Sequence, residues 1–327
     1  MRLNLIVALL AVASTCLAAP PQGRVVRVGL LYSTVPDFNP EKNRFDRELV
    51  EGLRELGYRQ DRNIVFELRS AAGAGAMLPQ LAAELIAAKV DMIVAPGTQA
   101  VFDAARVTKA VPIVMVGTAD AVETGLIASL ARPGGNVTGL AVNAAEMAAK
   151  RVQLLRDAVP GLSRVAVLWN SNFKSMSLGF QMIERAAPSL GVTLQSLEVS
   201  GSDQFDKVFT AIKRAPPQGL IVLFGPLRGN ELPRIVEFVV QQRLPTVFEV
   251  GQGVRGGGLM EFGPSPWRMA RRAATYVDKI ANGAHPSSLP VEEPSELELI
   301  INLQAAKAMG ITIPTAVLLR ADHVIQP

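Results

Sequence analysis

A chain of 327 residues, 49% of them hydrophobic, is too long for one ordinary core and suits two domains. Its 33 basic and 29 acidic residues are interspersed, so the net charge of +4 lacks the concentrated basic stripe that a nucleic-acid partner requires. The single cysteine excludes an intramolecular disulfide, and the two histidines, His285 and His323, fall in surface segments that assemble neither a Ser-His-Asp triad nor a multi-histidine metal site.

The opening MRLNLIVALLAVASTCLAAPPQ pairs Arg2 with an apolar run and then small residues, the layout of a secretory signal peptide cut between Ala18 and Ala19. Residues 1–18 are therefore expected to be removed and the mature chain exported to the periplasm. Cys16 leaves with them, and the preceding Ala13, Ser14 and Thr15 make a poor lipid-attachment box, so no lipid anchor is expected. No later apolar stretch is long enough to span a bilayer.

From Val25 strand and helix patterns alternate. VVRVGLLYS reads as a strand buried on both faces, and Phe45, Leu49, Leu53 and Leu56 then recur at helical spacing up to a stop at Gly57. NIVFELRS (63–70), DMIVAPG (91–97) and VPIVMVG (111–117) read as further strands, with helices over 77–90 and 98–108 between them. The second half copies the first in the same order: RVAVLWN (164–170) matches RVGLLYS (27–33), GLIVLFG (219–225) matches DMIVAPG, and LPTVFEVG (244–251) matches VPIVMVG. This predicts an α/β protein of two doubly wound parallel-sheet lobes.

Pro133, Gly134 and Gly135 precede the second copy and place the first crossover near Gly139. The tail, with a helix over 267–283 and a strand and helix over 297–310, belongs to neither repeat and makes a multi-strand hinge. The expected lobes are 24–139 with 264–286, and 140–263 with 287–327.

Parallel sheets bind ligands beyond the carboxyl ends of their strands, where helix N-termini offer free N–H groups. The residues there are Ser33 and Thr34, Thr98 and Gln99, Thr118 and Asp120 in the first lobe. In the second they are Trp169, Asn170, Ser171 and Phe173, then Phe224 and Gly225, then Glu249 and Gln252. Thr98 and Thr118 suit a ligand carboxylate, Asp120 or Glu249 an ammonium, and Tyr32, Trp169, Phe173 and Phe224 a ring. Hydroxyls at helix starts are also ordinary caps, and strand-end aromatics are also core.

Two motifs lead nowhere. GQGVRG (251–256) fits a dinucleotide pattern, but a strand follows its glycines where a helix is needed. SNFK (171–174) fits a serine-nucleophile pattern without its partner motifs. No catalytic residue, metal or cofactor is expected.

The stretches MVGTADAVETGLIASLARPGGNVTGL (115–140), GGLMEFG (257–263), RRAATYVDKIANGAHPSSLPVEEPSELELIINLQAAKAMGITIP (271–314) and LLRADHVI (318–325) carry a resemblance. The chain resembles the extracytoplasmic solute-binding proteins of ABC transporters related to those for tryptophan and tyrosine. The resemblance implies the type I periplasmic-binding-protein fold, with three hinge crossings and a small-molecule solute between the lobes. It also implies an ABC permease and its ATPase in the inner membrane as partners of a monomeric importer component that is not an enzyme. An exported ligand-sensing subunit for a membrane receptor is the alternative. Departures fall on the cleft loops: Asp120-Ala121-Val122 stands where family members read Asp-Pro-Val, and Asn170-Ser171 where they read Asn-Pro.

Overall fold

The computed structural model describes residues 24–34, 37–223, 231–249 and 253–327. The expected signal peptide, Cys16, Phe224, Gly225 and Gln252 lie outside the described residues.

The first lobe starts with strand β1 (Val26–Tyr32), helix α1 (Arg44–Glu55), β2 (Ile64–Ser70), α2 (Leu78–Ala87), β3 (Met92–Pro96), α3 (Thr98–Val107), β4 (Ile113–Ala119) and β5 (Val137–Val142). Among the described residues these strands form one sheet in the order β2-β1-β3-β4-β5, all of whose pairs are parallel. A strand buried on both faces must be apolar, and β3 is so throughout, as is β1 once past the exposed Arg27 at its start.

The second lobe takes α4 (Ala144–Ala158), β6 (Arg164–Asn170), α5 (Lys174–Leu190), β7 (Thr193–Val199), α6 (Phe205–Arg214), β8 (Gly219–Val222), α7 (Glu231–Gln241), β9 (Thr246–Phe248) and β10 (Met260–Pro264). The chain then forms α8 (Pro266–Ala281), β11 (Leu297–Asn302), α9 (Leu303–Met309), α10 (Thr315–Leu318) and β12 (His323–Ile325). The second sheet runs β12-β11-β10-β9-β8-β6-β7. It departs from an all-parallel sheet at one seam, where β11 lies antiparallel to β10 because the chain enters it from the other lobe.

Each sheet is covered on both faces. Val28, Leu30, Val114 and Val116 meet α1 and α8, whereas Leu31, Ile93 and Met115 meet α2 and α3. In the second lobe Val165 and Val167 pack under α4 and α5, and Ala166 and Leu168 under α6 and α7. Helix α8 therefore leaves the second lobe to pack on α1. Gly52 permits that approach, since a Cβ there would lie 2.6 Å from the Arg271 carbonyl oxygen.

Among the described residues the chain crosses between the lobes three times. β5 runs through Gly139 to Val142, so the first crossing lies at 142–144, beyond the glycine that the sequence points to. The second lies at 264–266. After α8, the Glu292 N–H donates to the Gly139 carbonyl and the Ala141 N–H to the Glu292 carbonyl, both at 3.0 Å, so the chain stays on the edge of the first sheet until it crosses to β11. The third crossing therefore lies at 293–297, later than residue 287.

Candidate functional site

The carboxyl ends of both sheets meet at a cleft holding two adjoining chambers of about 350 Å³ each. The inner chamber is walled by Thr98, Gln99 and Gly117 from the first lobe, and by Met147, Arg151 and Glu249 from the second. Its back is made by two crossings, at Val142 and Ala144 and at Gly263, Pro264 and Pro266. The outer chamber lies between Gly73, Pro79 and Asp103 on one side and Asn170, Asn172 and Glu231 on the other. Ser33, Thr34, Gln99 and Phe173 line both and form the neck between them.

Helix α3 opens onto the inner chamber with no side-chain cap on its first N–H groups among the described residues, so its positive end faces the cleft. The Thr98 hydroxyl accepts a hydrogen bond from the Ala119 N–H at 3.0 Å, which ties the helix start to the end of β4. Across the chamber sits an ion pair. Arg151, 3% exposed, donates from Nη1 to Glu249 Oε1 at 3.3 Å and from Nε to the Phe262 carbonyl at 3.0 Å. Glu249 keeps about a third of its side-chain surface open (34%) and lines the chamber. Burial is the largest influence on both: it lifts the Glu249 carboxyl above the ordinary carboxylate range against the pull of Arg151, and lowers the Arg151 guanidinium against the pull of Glu249. Between these polar ends the walls are apolar, with Val116, Met176, Leu223 and Met269.

Residues 42–325 match the family described as ABC transporter substrate binding protein. The chain belongs to this family. It is 22% identical over 283 residues to a tyrosine-binding protein of Clostridioides difficile (strain R20291), covering 84% of this chain and 78% of that one. Among solved structures it is similar to an ABC domain in complex with L-Trp from Streptococcus pneumonia (TM-score 0.83, 23% identity, 92% of this chain and 100% of that chain). A conserved domain protein of Vibrio cholerae is similar to the same degree (TM-score 0.82, 24% identity, 92% and 100%). These likenesses give the fold as that of type I periplasmic binding proteins.

In this substrate-binding protein the cleft gathers Ser33, Thr34, Thr98, Gln99, Asn170, Phe173 and Glu249. Four other candidates point elsewhere. Thr118 is fully buried, and its Oγ1 has no hydrogen-bond partner among the described residues. A bulge between Val116 and Thr118, where Gly117 takes φ +73°, shifts the register so that Thr118 pairs with Ala141 on the α3 face, while Ala119 takes the cleft wall. Asp120 turns toward the first crossing, where its Oδ1 accepts from the Ala145 N–H at 3.3 Å. Trp169 shares the face of Val165 and Val167; its ring stacks on Phe180 of α5 at 4.7 Å, and its Nε1 donates to Ser196 at 2.9 Å. Tyr32, a candidate ring contact, is buried and donates its hydroxyl to Asp46 at 2.6 Å.

Arg151, Met147, Met176 and Asp103 escape sequence reasoning that looks only at strand ends. The signal for Arg151 and Asp103 was a charge on the apolar face of a helix: Arg151 precedes Val152 one turn after Met147 and Ala148, and Asp103 lies between Val101 and Ala104. Among the described residues no group of three or more His, Cys, Asp or Glu side chains is placed to hold a metal ion, and no helix is long and apolar enough to cross a membrane.

Proposed function

We propose that this protein is the solute-capturing component of an ABC importer, exported to the periplasm after removal of residues 1–18, where it works as a monomer with an inner-membrane permease and its ATPase. The observation that carries the reading is the inner chamber itself, walled by strand ends of both lobes and backed by two of the crossings. A solute touching both walls makes contacts in the closed form that an open form lacks, and so draws the lobes together and marks the protein as loaded.

The solute we infer is an amino acid or related carboxylate. A carboxylate suits the uncapped start of α3 beside Thr98, and an ammonium suits Glu249 on the facing wall. The spacing apolar surface takes the rest of the molecule. The tyrosine-binding relative and the L-Trp complex support this class of solute.

The test is a thermal-shift screen of the twenty amino acids and small carboxylates. A ligand that binds only the folded state raises its stability by mass action, about 2.7 kcal/mol when present at a hundred times its dissociation constant. At least one amino acid is expected to raise the melting temperature without being chemically changed. A screen with no shift, or turnover of the hit, would overturn the reading.

A further inference from the structure

The outer chamber is as roomy as the inner one, and deeply buried side chains reach its otherwise open wall. Phe205 is 2% exposed and Asp103 3%. Asp103 is the unusual one. It sits on α3 among Ala100, Val101, Ala104 and Ala105, all buried, and a carboxylate held out of water is costly unless something compensates it. Arg106 lies 3.6 Å from its Oδ1 but is itself mostly in solvent, and such pairs contribute little. The close partner is Gln99, one turn earlier, whose Nε2 donates to Asp103 Oδ2 at 2.6 Å.

That contact decides which way the Gln99 carboxamide points. An ionised carboxylate only accepts, so the carboxamide atom against it must be the nitrogen. The carbonyl oxygen is then fixed on the other side of the amide. Gln99 lines both chambers, so the neck between them is given an oriented acceptor rather than a group free to flip. The Asp103 carboxylate stands beside that acceptor on the wall of the outer chamber, so the local field favours a donor that carries positive charge. Phe173 faces the same neck and supplies apolar surface for the methylenes leading to it.

We propose that Asp103 is a positioning residue for ligand selection: by fixing Gln99 as an acceptor at the neck, it selects amino acids whose side chains reach the outer chamber and end in a cationic N–H donor. This rests on the reading that the cleft binds an amino acid. The backbone groups of the ligand stay in the inner chamber between α3 and Glu249, and its side chain passes Phe173 to meet Gln99.

Matched probes test it. L-Lysine, L-norleucine and L-2-aminoadipate share a chain and differ at its end, which is an ammonium, a methyl group or a carboxylate. With L-arginine, L-tryptophan and L-tyrosine they form a panel for isothermal titration calorimetry on the full mature chain. The wild-type protein is expected to bind L-lysine or L-arginine at least about tenfold more tightly than L-norleucine and L-2-aminoadipate, the discrimination of one charge-assisted hydrogen bond. In Asp103→Asn the amide can flip, and in Gln99→Met the acceptor is gone, so the lysine-to-norleucine ratio is expected to fall to within about twofold in both. A purely structural role would weaken every probe together and leave the ratio intact. Gln99 is only half-buried, so its variant remains informative if Asp103→Asn fails to fold. Equal binding of L-norleucine by the wild type, or a ratio that survives both substitutions, overturns the proposal. Tight binding of L-tryptophan or L-tyrosine without the basic probes overturns it while leaving the amino-acid cleft standing. Binding of no amino acid at all overturns both.

Discussion

The Oδ1 atom of Asp120, just beyond β4, accepts a hydrogen bond from the backbone N–H of Ala145 in the first turn of α4. The Asp120 N–H in turn donates to the Val142 carbonyl at 2.9 Å. One residue thus grips both sides of the first crossing, and it does so with φ +48°, a conformation that costs a non-glycine residue energy. Its side chain is 3% exposed and its second oxygen, Oδ2, has no hydrogen-bond partner among the described residues.

Burial is the main reason the Asp120 carboxyl is pushed up to about 6; the Ala145 N–H opposes the rise, and the nearby Glu123 and Glu293 charges add to it. The folded protein therefore binds this proton more readily than the unfolded chain, whose aspartates titrate near 3.9. The stabilising contribution is fully present below that value and is lost as pH rises through about 6, a swing of about 3 kcal/mol. Asp120→Asn removes the charge while keeping an acceptor for Ala145. Thermal melts between pH 4 and pH 7.5 are expected to show the variant gaining on the wild type as pH rises. Parallel curves for the two proteins would count against a buried, charged Asp120.

Lys174, the first residue of α5 in the second lobe, donates from Nζ to the backbone carbonyl of Glu123 in the first lobe at 2.6 Å. Both groups are exposed, so the bond adds little to folding, yet it exists only while the lobes stand this close. Lys174→Met is expected to leave the melting temperature of the ligand-free protein unchanged. It should weaken binding of the amino acid with the largest thermal shift by about two- to fivefold, the effect of one exposed hydrogen bond on the closed state. An unchanged affinity would mean that this contact is absent from the liganded form.

The fold was readable because period and length leave little choice: a five-residue apolar run such as MIVAP between amphipathic helices has no stable home except a buried parallel strand. The site was readable only as far as strand ends could be counted. Ser33, Thr98 and Phe173 come out at the cleft because β1, β3 and β6 run regularly to their ends. Thr118 does not, because the bulge at Gly117 inverts the alternation, and nothing in VPIVMVGTAD separates a bulge glycine from a turn glycine. Trp169 was decidable in principle. Counting by twos from Val165 puts it on the helix-covered face with Val167, whatever its position at the strand end.

Gly52 offers a test of whether the late helix α8 is integral to the first lobe. A methyl group at this position would meet the Arg271 carbonyl at 2.6 Å and the Ala274 side chain at 2.9 Å, distances that only a backbone shift relieves. Ala favours helices over Gly by up to about 1 kcal/mol, so a surface glycine in α1 would gain from the change. Gly52→Ala is instead expected to lose about 1–3 kcal/mol in urea denaturation, the ordinary cost of overpacking. A stabilised variant would show that α1 and α8 are not held this closely.

The Arg151–Glu249 pair should be asymmetric in its response to mutation. Arg151 is sealed in, with Glu249 and the Phe262 carbonyl as hydrogen-bond partners, whereas Glu249 opens into the chamber and can be hydrated there. Removing the carboxylate in Glu249→Gln leaves a buried guanidinium without its counter-charge, which costs roughly 3 kcal/mol or more. Removing the guanidinium in Arg151→Met fills the space with an apolar chain and leaves a carboxyl that burial already lifts, which can take up a proton or meet water through its open third, so the loss is expected to be smaller, about 1–2 kcal/mol. The double variant should recover much of the Glu249→Gln loss, because no charge then remains buried. Denaturant unfolding of the four proteins measures the coupling directly. Binding separates from stability in the same set: every variant lacking the Glu249 carboxylate should lose affinity for ligands with a free ammonium, including the double variant whose fold has been restored. An affinity that returned with stability would place the role of Glu249 in holding Arg151 rather than in holding the solute.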